Sequence, residues 1–127
     1  MRHSLYVAIA ALVVAGAAQA ASTRCPTGAL VLPADGASRA AKTAVASART
    51  SFPTLNTSGT RVVWAKRATV AGPRGAQVGL ECGAKARART VVVELRFPRM
   101  APSASLSEGI VDVARFATGY RVWRVVH

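Results

Sequence analysis

Acidic residues and histidines are scarce in this 127-residue sequence. Five aspartates and glutamates stand against 17 lysines and arginines, which gives a formal net charge of +12 at neutral pH. One of the two histidines is His3, and the other is the C-terminal residue, His127. A general base at the end of a chain is poorly held in place, so acid–base catalysis has few groups to use.

Motifs that mark nucleotide, metal or hydrolase sites are also missing. The sequence has no phosphate-binding loop, no dinucleotide fingerprint, no histidine–carboxylate metal pattern and no Gly-x-Ser-x-Gly. The acids are spread along the chain as Asp35, Glu81, Glu94, Glu108 and Asp112. We therefore predict a non-enzymatic protein without a metal or cofactor. The alternative is a small-ligand pocket protein or enzyme, which would need a cavity near Glu94, Glu108 or Asp112.

The first twenty residues have the pattern of a secretory signal peptide. Arg2 and His3 form a basic start, residues 5–18 are apolar, and Ala18-Gln19-Ala20 satisfies an A-x-A cleavage site. The apolar run is shorter than the roughly 20 residues that a membrane span needs, although an uncleaved anchor is the alternative. We predict an exported protein, extracellular or in the cell envelope, with residues 21–127 as one domain and no stable membrane span after cleavage.

Two cysteines, Cys25 and Cys82, follow the predicted cleavage site. An even number of cysteines in an exported chain favours a disulfide, and two free buried thiols are the alternative. Closing a loop of this length contributes about 4 kcal/mol on the chain-entropy model. Their wide spacing and the lack of a CxxC motif argue against a zinc or redox site.

Residues 34–52 have the periodicity of one amphipathic helix. Asp35 or Ser38 can cap its start, and Pro53 ends it. The residues at helical spacing on the predicted buried face are Ala37, Ala41, Ala44, Val45, Ala48 and Phe52. Arg39, Lys42 and Arg49 lie on the opposite side, where they form a basic stripe.

From residue 61 onward the sequence is extended in character. Predicted strands cover residues 61–70, 77–82, 90–97, 105–116 and 120–126, and residues 29–32 could form a brief edge strand. The short connections imply antiparallel neighbours. The predicted fold is α+β, with one amphipathic helix packed on a four- to five-stranded antiparallel meander sheet. The sequence does not decide which faces of the last two strands are buried, because Ile110 and Phe116 lie on one side of the fourth strand and Val111 and Val113 lie on the other.

Alternation in the third predicted strand identifies its core face. Val91, Val93, Leu95 and Phe97 share one side of the strand. If the strand continued straight back from Val91, every second residue on that side would be a cation: Arg89, Arg87 and Lys85. Burying three unpaired charges would cost a large amount of folding free energy. This basic triplet should therefore lie in solvent, at a bend, a bulge or beyond the cover of the helix, with the strand beginning near Arg89.

Three basic groups are candidate binding surfaces. They are the basic triplet (Lys85, Arg87, Arg89), the basic stripe (Arg39, Lys42, Arg49), and Arg121 with Arg124 beside Tyr120 and Trp123. Interleaved aromatic and basic residues can stack on bases or sugars, whereas the alternative places Trp123 in the core. The predicted function is a binding module for acidic polymers or an acidic protein surface.

The order of strand, helix and meander resembles the cystatin fold over residues 28–127. Cystatins carry Gln-x-Val-x-Gly in the hairpin after the helix, and residues 68–72 here read Ala-Thr-Val-Ala-Gly, with alanine in place of the glutamine. The resemblance implies inhibition of papain-type proteases through a hairpin at Val70 and Gly72, with Gly28 and Trp123 as loose counterparts of the other contact residues. The NTF2-like plan is a second possible comparison.

Overall fold

Four antiparallel strands form one sheet in the order β1-β2-β3-β4. The computed structural model describes residues 25–101 and 104–126, so the predicted signal peptide and His127 lie outside the described residues. The strands are β1 (Arg61–Arg67), β2 (Thr90–Arg96), β3 (Glu108–Phe116) and β4 (Gly119–Val126). The helices are α1 (Gly36–Ala46), α2 (Ala48–Ser51), α3 (Gly72–Cys82), α4 (Ala84–Ala88) and α5 (Ala104–Ser107), with a 3₁₀ turn at Ala68–Val70. The α+β class is confirmed.

Helix α1 crosses one face of the sheet and contacts all four strands. Ala40, Ala44 and Ala48 lie at every fourth position and are buried, so their small side chains bring the helix axis close to the sheet. The side chains predicted for the core from β2 and from the residue that follows it are buried beneath them: Val91, Val93, Leu95 and Phe97. The predicted core face of this strand is therefore confirmed, and the strand begins at Thr90, next to the expected Arg89.

The far end of this core is closed by Phe52. Its ring meets that of Phe97 edge-on, with centroids 4.9 Å apart. Gly109 lies directly beneath, and a Cβ atom there would approach the Phe52 ring to 2.4 Å, so only glycine fits. The single helix predicted for residues 34–52 is divided at Ser47 into α1 and α2. The buried line of α1 also differs from the prediction, because it runs through Gly36, Ala40 and Ala44, while Val45 remains 38% exposed.

The predicted strand at residues 77–82 is wrong, because these residues belong to α3. The buried positions along this segment are Ala71, Gly75 and Val78, whose spacing of four and three is that of a helix. Leu80 would share a strand face with Val78, but on the helix it is 88% exposed. Gly75 permits the packing, since a Cβ atom there would lie 1.8 Å from the Ala68 carbonyl oxygen.

Helices α3 and α4 cover the second face of the sheet. They form a smaller core around Val92 and Val78 with Ala68, Ala71 and Ala86, and Trp64, Cys82, Ile110 and Trp123 pack against it. Helices therefore lie on both faces of the sheet, and the predicted plan of one helix on the sheet is not found. Among the described residues, no helix is both long and apolar enough to span a membrane.

A β-bulge in the last strand assigns the faces that the sequence left open. Val113 pairs with Val122 and Asp112 pairs with Arg124, so Trp123 has no residue opposite. Val122 packs in the core beneath α1, whereas Trp123 packs in the core beneath α3. The bulge thereby places Trp123 and Arg124 together on the α3 side.

The predicted disulfide between Cys25 and Cys82 is confirmed, with Cα atoms 5.4 Å apart. Residues 29–33, which we call the strap, follow Cys25 across the end of the sheet. The brief edge strand predicted for residues 29–32 is not formed, and arginine side chains hold the strap in place instead. Its backbone donates one hydrogen bond to a strand, from Leu30 N to the Arg115 carbonyl at 2.7 Å. Guanidinium groups donate to alternate strap carbonyls: Arg89 to Ala29 (2.7 Å), Arg115 to Val31 (3.3 Å) and Arg67 to Pro33.

Candidate functional site

The basic triplet lies on and just after the short helix α4, and this separates its three side chains. Lys85 and Arg89 are four residues apart and share one side of the turn, whereas Arg87 lies on another. The stem of Arg87 packs over Gly79, where an added Cβ atom would meet its Cδ at 3.0 Å. Its Nε points to the Ala68 carbonyl oxygen at 3.5 Å. The triplet is therefore an exposed Lys85 and a half-buried Arg89 on one side, with Arg87 packed against α3 on another.

Lys85 and Arg89 line a cleft of about 330 Å³ between α4 and residues 25–29, which we call the basic cleft. Its other lining residues are Cys25, Pro26, Thr27, Gly28, Ala29, Cys82 and Ala86. No carboxylate is among these lining residues, so the potential inside is set by the two cations. Gly28 has φ +79°, a conformation that other residues adopt only with strain, and it shapes the turn at the edge of the cleft.

Arg89 is fixed in position by its bond to the Ala29 carbonyl, and a guanidinium carries further N–H groups beyond the one used. Lys85 is exposed to solvent. A planar, oriented guanidinium beside a flexible ammonium suits carboxylate, sulfate or phosphate groups. The disulfide beside the cleft holds its two walls together, because Cys25 belongs to one wall and Cys82 to the other.

The basic stripe, with Arg39 and Lys42 on α1 and Arg49 on α2, lies on the opposite face of the sheet from the basic cleft. Arg39 donates from Nε to Asp35 at 2.6 Å, and this hydrogen bond lowers the pKa of the Asp35 carboxyl and raises the pKa of Arg39. Lys42 and Arg49 are exposed. Since Asp35 offsets the charge of Arg39, the stripe presents two uncompensated cations, seven residues apart.

The third basic group is divided between surface and core. Arg121 is exposed and lies 4.6 Å over the Phe116 ring. Tyr120 and Trp123 pack against the two cores, and their Oη and Nε1 atoms are buried. These two rings therefore contribute to packing and are not presented for stacking on a ligand. For Trp123 this is the alternative stated above, in which its ring belongs to the core. Arg124 belongs to an ion-pair network.

That network centres on Asp112, one of the three acids near which the sequence placed the alternative ligand pocket, although its pairing with Arg124 was not predicted. Arg124 donates from Nε to Asp112 Oδ2 at 2.5 Å and from a terminal nitrogen to Glu81 of α3. Gln77 Nε2 donates to the same Glu81 at 2.8 Å. Only 2% of the Asp112 side chain is exposed. Burial raises the pKa of Asp112, and the hydrogen bond from Arg124 opposes that rise.

A cavity of about 310 Å³ adjoins this network. Arg74, Gln77, Glu81, Ile110, Asp112, Arg124, Val125 and Val126 line it. Its wall carries two cations, two carboxylates and an apolar strip from β3 and β4. No group of three or more histidine, cysteine, aspartate or glutamate side chains within residues 25–101 and 104–126 is arranged to hold a metal ion.

The predicted inhibitory hairpin at Val70 and Gly72 is wrong as an element of structure. Val70 ends the 3₁₀ turn and Gly72 begins α3, so the segment turns from β1 into a helix and makes no hairpin. Val70 is 68% exposed. The rigid β-hairpin that the cystatin resemblance implied at this place is therefore not present.

The chain matches no protein-family model, no curated protein and no solved structure. The cystatin resemblance accordingly stays a prediction. Assignment of a site depends on the geometry and charge of the residues described above.

Proposed function

We propose that residues 21–127 form an exported, non-enzymatic domain that binds acidic polymers through the basic cleft. The observation that carries this proposal is the convergence of Lys85 and Arg89 on a concave surface without a lining carboxylate. The Cys25–Cys82 disulfide supports the exported compartment, because such bonds persist in oxidising environments.

The distribution of charge around the molecule supports the same proposal. The ion pairs of Arg39 and Arg124 involve Asp35, Glu81 and Asp112, so three of the five carboxylates in the sequence are already paired. Arg67, Arg89 and Arg115 bond to neutral carbonyls, so they keep their full positive charge. A protein with this imbalance attracts polyanions over distances of about a Debye length, roughly 8 Å at physiological ionic strength.

The cleft then distinguishes specific binding from general attraction. Scattered cations give weak contacts at every part of the surface, whereas an oriented arginine and a nearby lysine can hold one anionic group of a polymer in a fixed place. Neighbouring groups of the same polymer would follow the surrounding positive surface. Each released counterion adds to the dependence of binding on salt concentration.

The test is a residue-resolved NMR titration of residues 21–127 with a short polyphosphate of uniform length at physiological salt. We expect shifts concentrated at residues 25–29 and 84–89. The Lys85→Gln variant should bind more weakly and lower the slope of log K against log salt by about 1. Lys42→Gln is the matched control, because it removes the same charge from an exposed site on the other face. Equal losses in both variants would show that binding is nonspecific.

A small-ligand pocket is a second candidate function, and the cavity beside Asp112 favours it. Its mixed charges and apolar strip suit a small zwitterion. Titration with free amino acids should shift the Ile110 methyl signals if the cavity binds such molecules, and an unchanged spectrum would count against it. Inhibition of papain-type proteases through Val70 and Gly72 has no supporting observation, since Val70 ends the 3₁₀ turn and Gly72 begins α3.

A further inference from the structure

Strand β1 is an edge of the sheet, and one side of its backbone has no neighbouring strand among the described residues. The strand is also the most exposed of the four, because Arg61, Val62, Val63 and Lys66 are all exposed. An open edge of this kind offers backbone N–H and C=O groups to an added strand.

The side chains of β1 divide into two chemically different rows. Val62 and Ala65 pair with Leu95 and Val93, which face α1. Arg61, Trp64 and Lys66 pair with residues of the opposite parity, so they face the other side of the sheet. The Lys66 ammonium lies 5.5 Å from the Trp64 ring centre. One row is therefore apolar, and the other is basic and aromatic.

On the α1 side, a shallow groove of about 490 Å³ runs between the helix and the edge strand. Ser38, Ala41, Lys42, Val45, Ala46 and Val62 line it. Val45 and Val62 are 38% and 37% exposed, although both are apolar. This edge groove contains a cation and no carboxylate among its lining residues.

We propose that the edge groove and β1 bind an extended acidic peptide of a partner protein as a fifth strand. Successive side chains of an added strand point to opposite faces of the sheet. Apolar residues of the peptide would enter the edge groove, and the alternate acidic residues would lie beside Arg61 and Lys66. The recognised sequence therefore alternates acidic and apolar residues. This site is separate from the basic cleft and goes beyond the proposed polymer binding.

A second copy of the chain is a poor occupant of the same edge. In an antiparallel pairing centred between Val63 and Trp64, Arg61 would face Lys66 of the second copy, and like charges directly opposite are destabilising. The cations that prevent self-association are the same ones that favour an acidic strand.

The probe is a capped hexapeptide that alternates glutamate and valine. Its control is a capped hexapeptide of the same composition, with three valines followed by three glutamates. NMR titration of residues 21–127 should show shifts at β1 and at Val45, with the alternating peptide binding about fivefold or more tightly than the block peptide. Equal binding of the two peptides, or shifts elsewhere, would overturn the proposal.

Charge reversal then tests the basic row. Lys66→Glu should weaken binding of the alternating peptide by about three- to tenfold, since a favourable cross-strand pair becomes a repulsive one. Lys85→Glu is the matched control and should leave peptide binding unchanged while it impairs polyphosphate binding. The two proposals can therefore fail independently. Loss of peptide binding in both variants would overturn the edge assignment. A wild-type dimer in sedimentation that Lys66→Glu strengthens would give the edge to a second copy and overturn the acidic peptide as its occupant.

Discussion

The two faces of the sheet are built by different means. Beneath α1 the contacts are between alanines, valines and phenylalanines, and the helix lies close because its buried residues are small. Beneath α3 and α4 the core is smaller, and the buried polar residues Thr90 and Asp112 lie at strand positions that share the parity of Val92 on that side. There α3 is held by Arg124 bonded to Glu81 and by the disulfide at Cys82. One face depends on apolar packing, while the other combines a small core with polar and covalent links.

The comparison explains where the candidate sites lie. A fully apolar face offers no chemistry, and the α1 side contributes only its outer surface and its groove beside β1. The α3 side carries both the basic cleft and the Asp112 cavity. Since its links are few and specific, removing any one of them should act locally, whereas a cavity under α1 should weaken the whole fold.

The largest effect should come from breaking the apolar face. Phe52→Ala removes a buried ring that packs on Phe97 and Gly109, and we expect a loss of about 3–5 kcal/mol in the free energy of unfolding. Urea denaturation measures this loss. Phe52→Leu keeps most of the volume and should cost clearly less. A similar small loss in both variants would mean that the site collapses around the missing ring.

An intermediate effect should follow from opening the covalent link on the other face. Replacement of Cys25 and Cys82 by serine should cost about 2–4 kcal/mol. Hydrogen exchange should show faster opening of α3, α4 and the strap, with β2 and α1 losing only the protection that global destabilisation accounts for. Uniform loss of protection over the whole chain would show that the two faces unfold as one unit.

The smallest effect concerns the protonation of Asp112. Its carboxyl should titrate above the ordinary aspartate pKa because it is buried, and Arg124→Gln should raise the pKa further by removing the opposing hydrogen bond. NMR of the carboxyl carbon measures both values. A raised pKa in the folded state means that the folded protein binds more protons than the unfolded chain.

That difference fixes the sign of the effect on stability. The contribution of Asp112 is fully present below the ordinary aspartate pKa and is lost as pH rises through the folded-state pKa. The Asp112→Asn variant should lack this fall in stability over the same range of pH. If Asp112 instead makes the wild-type protein more stable as pH rises through this range, the hydrogen bond from Arg124 lowers the pKa of Asp112 by more than burial raises it.

Sequence patterns predicted the α1 side well and the α3 side poorly, for physical reasons. The alternation along β2 and the helical spacing of alanines in α1 each mark an apolar face, so both elements could be predicted from the sequence. In α3 the buried positions are filled by Ala71, Gly75 and Val78, so hydrophobic contrast is low, while exposed Leu80 imitates a strand. The pairing of Asp112 with Arg124 depends on the bulge at Trp123, which no local pattern specifies. Alternation along β2 correctly excluded the basic triplet from the core. It could not predict that Arg87 lies apart from Lys85 and Arg89, because this separation arises from the helical path of α4.

The strap has a consequence for the order of events when the chain is made. Its carbonyls are bound by arginines that lie 34, 60 and 84 residues further along the sequence. The strap is therefore synthesised before any of its partners, and it can dock only after three strands have assembled. Closing such distant contacts has the slow kinetics of non-local topology. Until Arg115 has emerged and β3 has joined the sheet, residues 29–33 remain exposed to proteases and other chains, so this early segment waits for most of the sheet before it is protected.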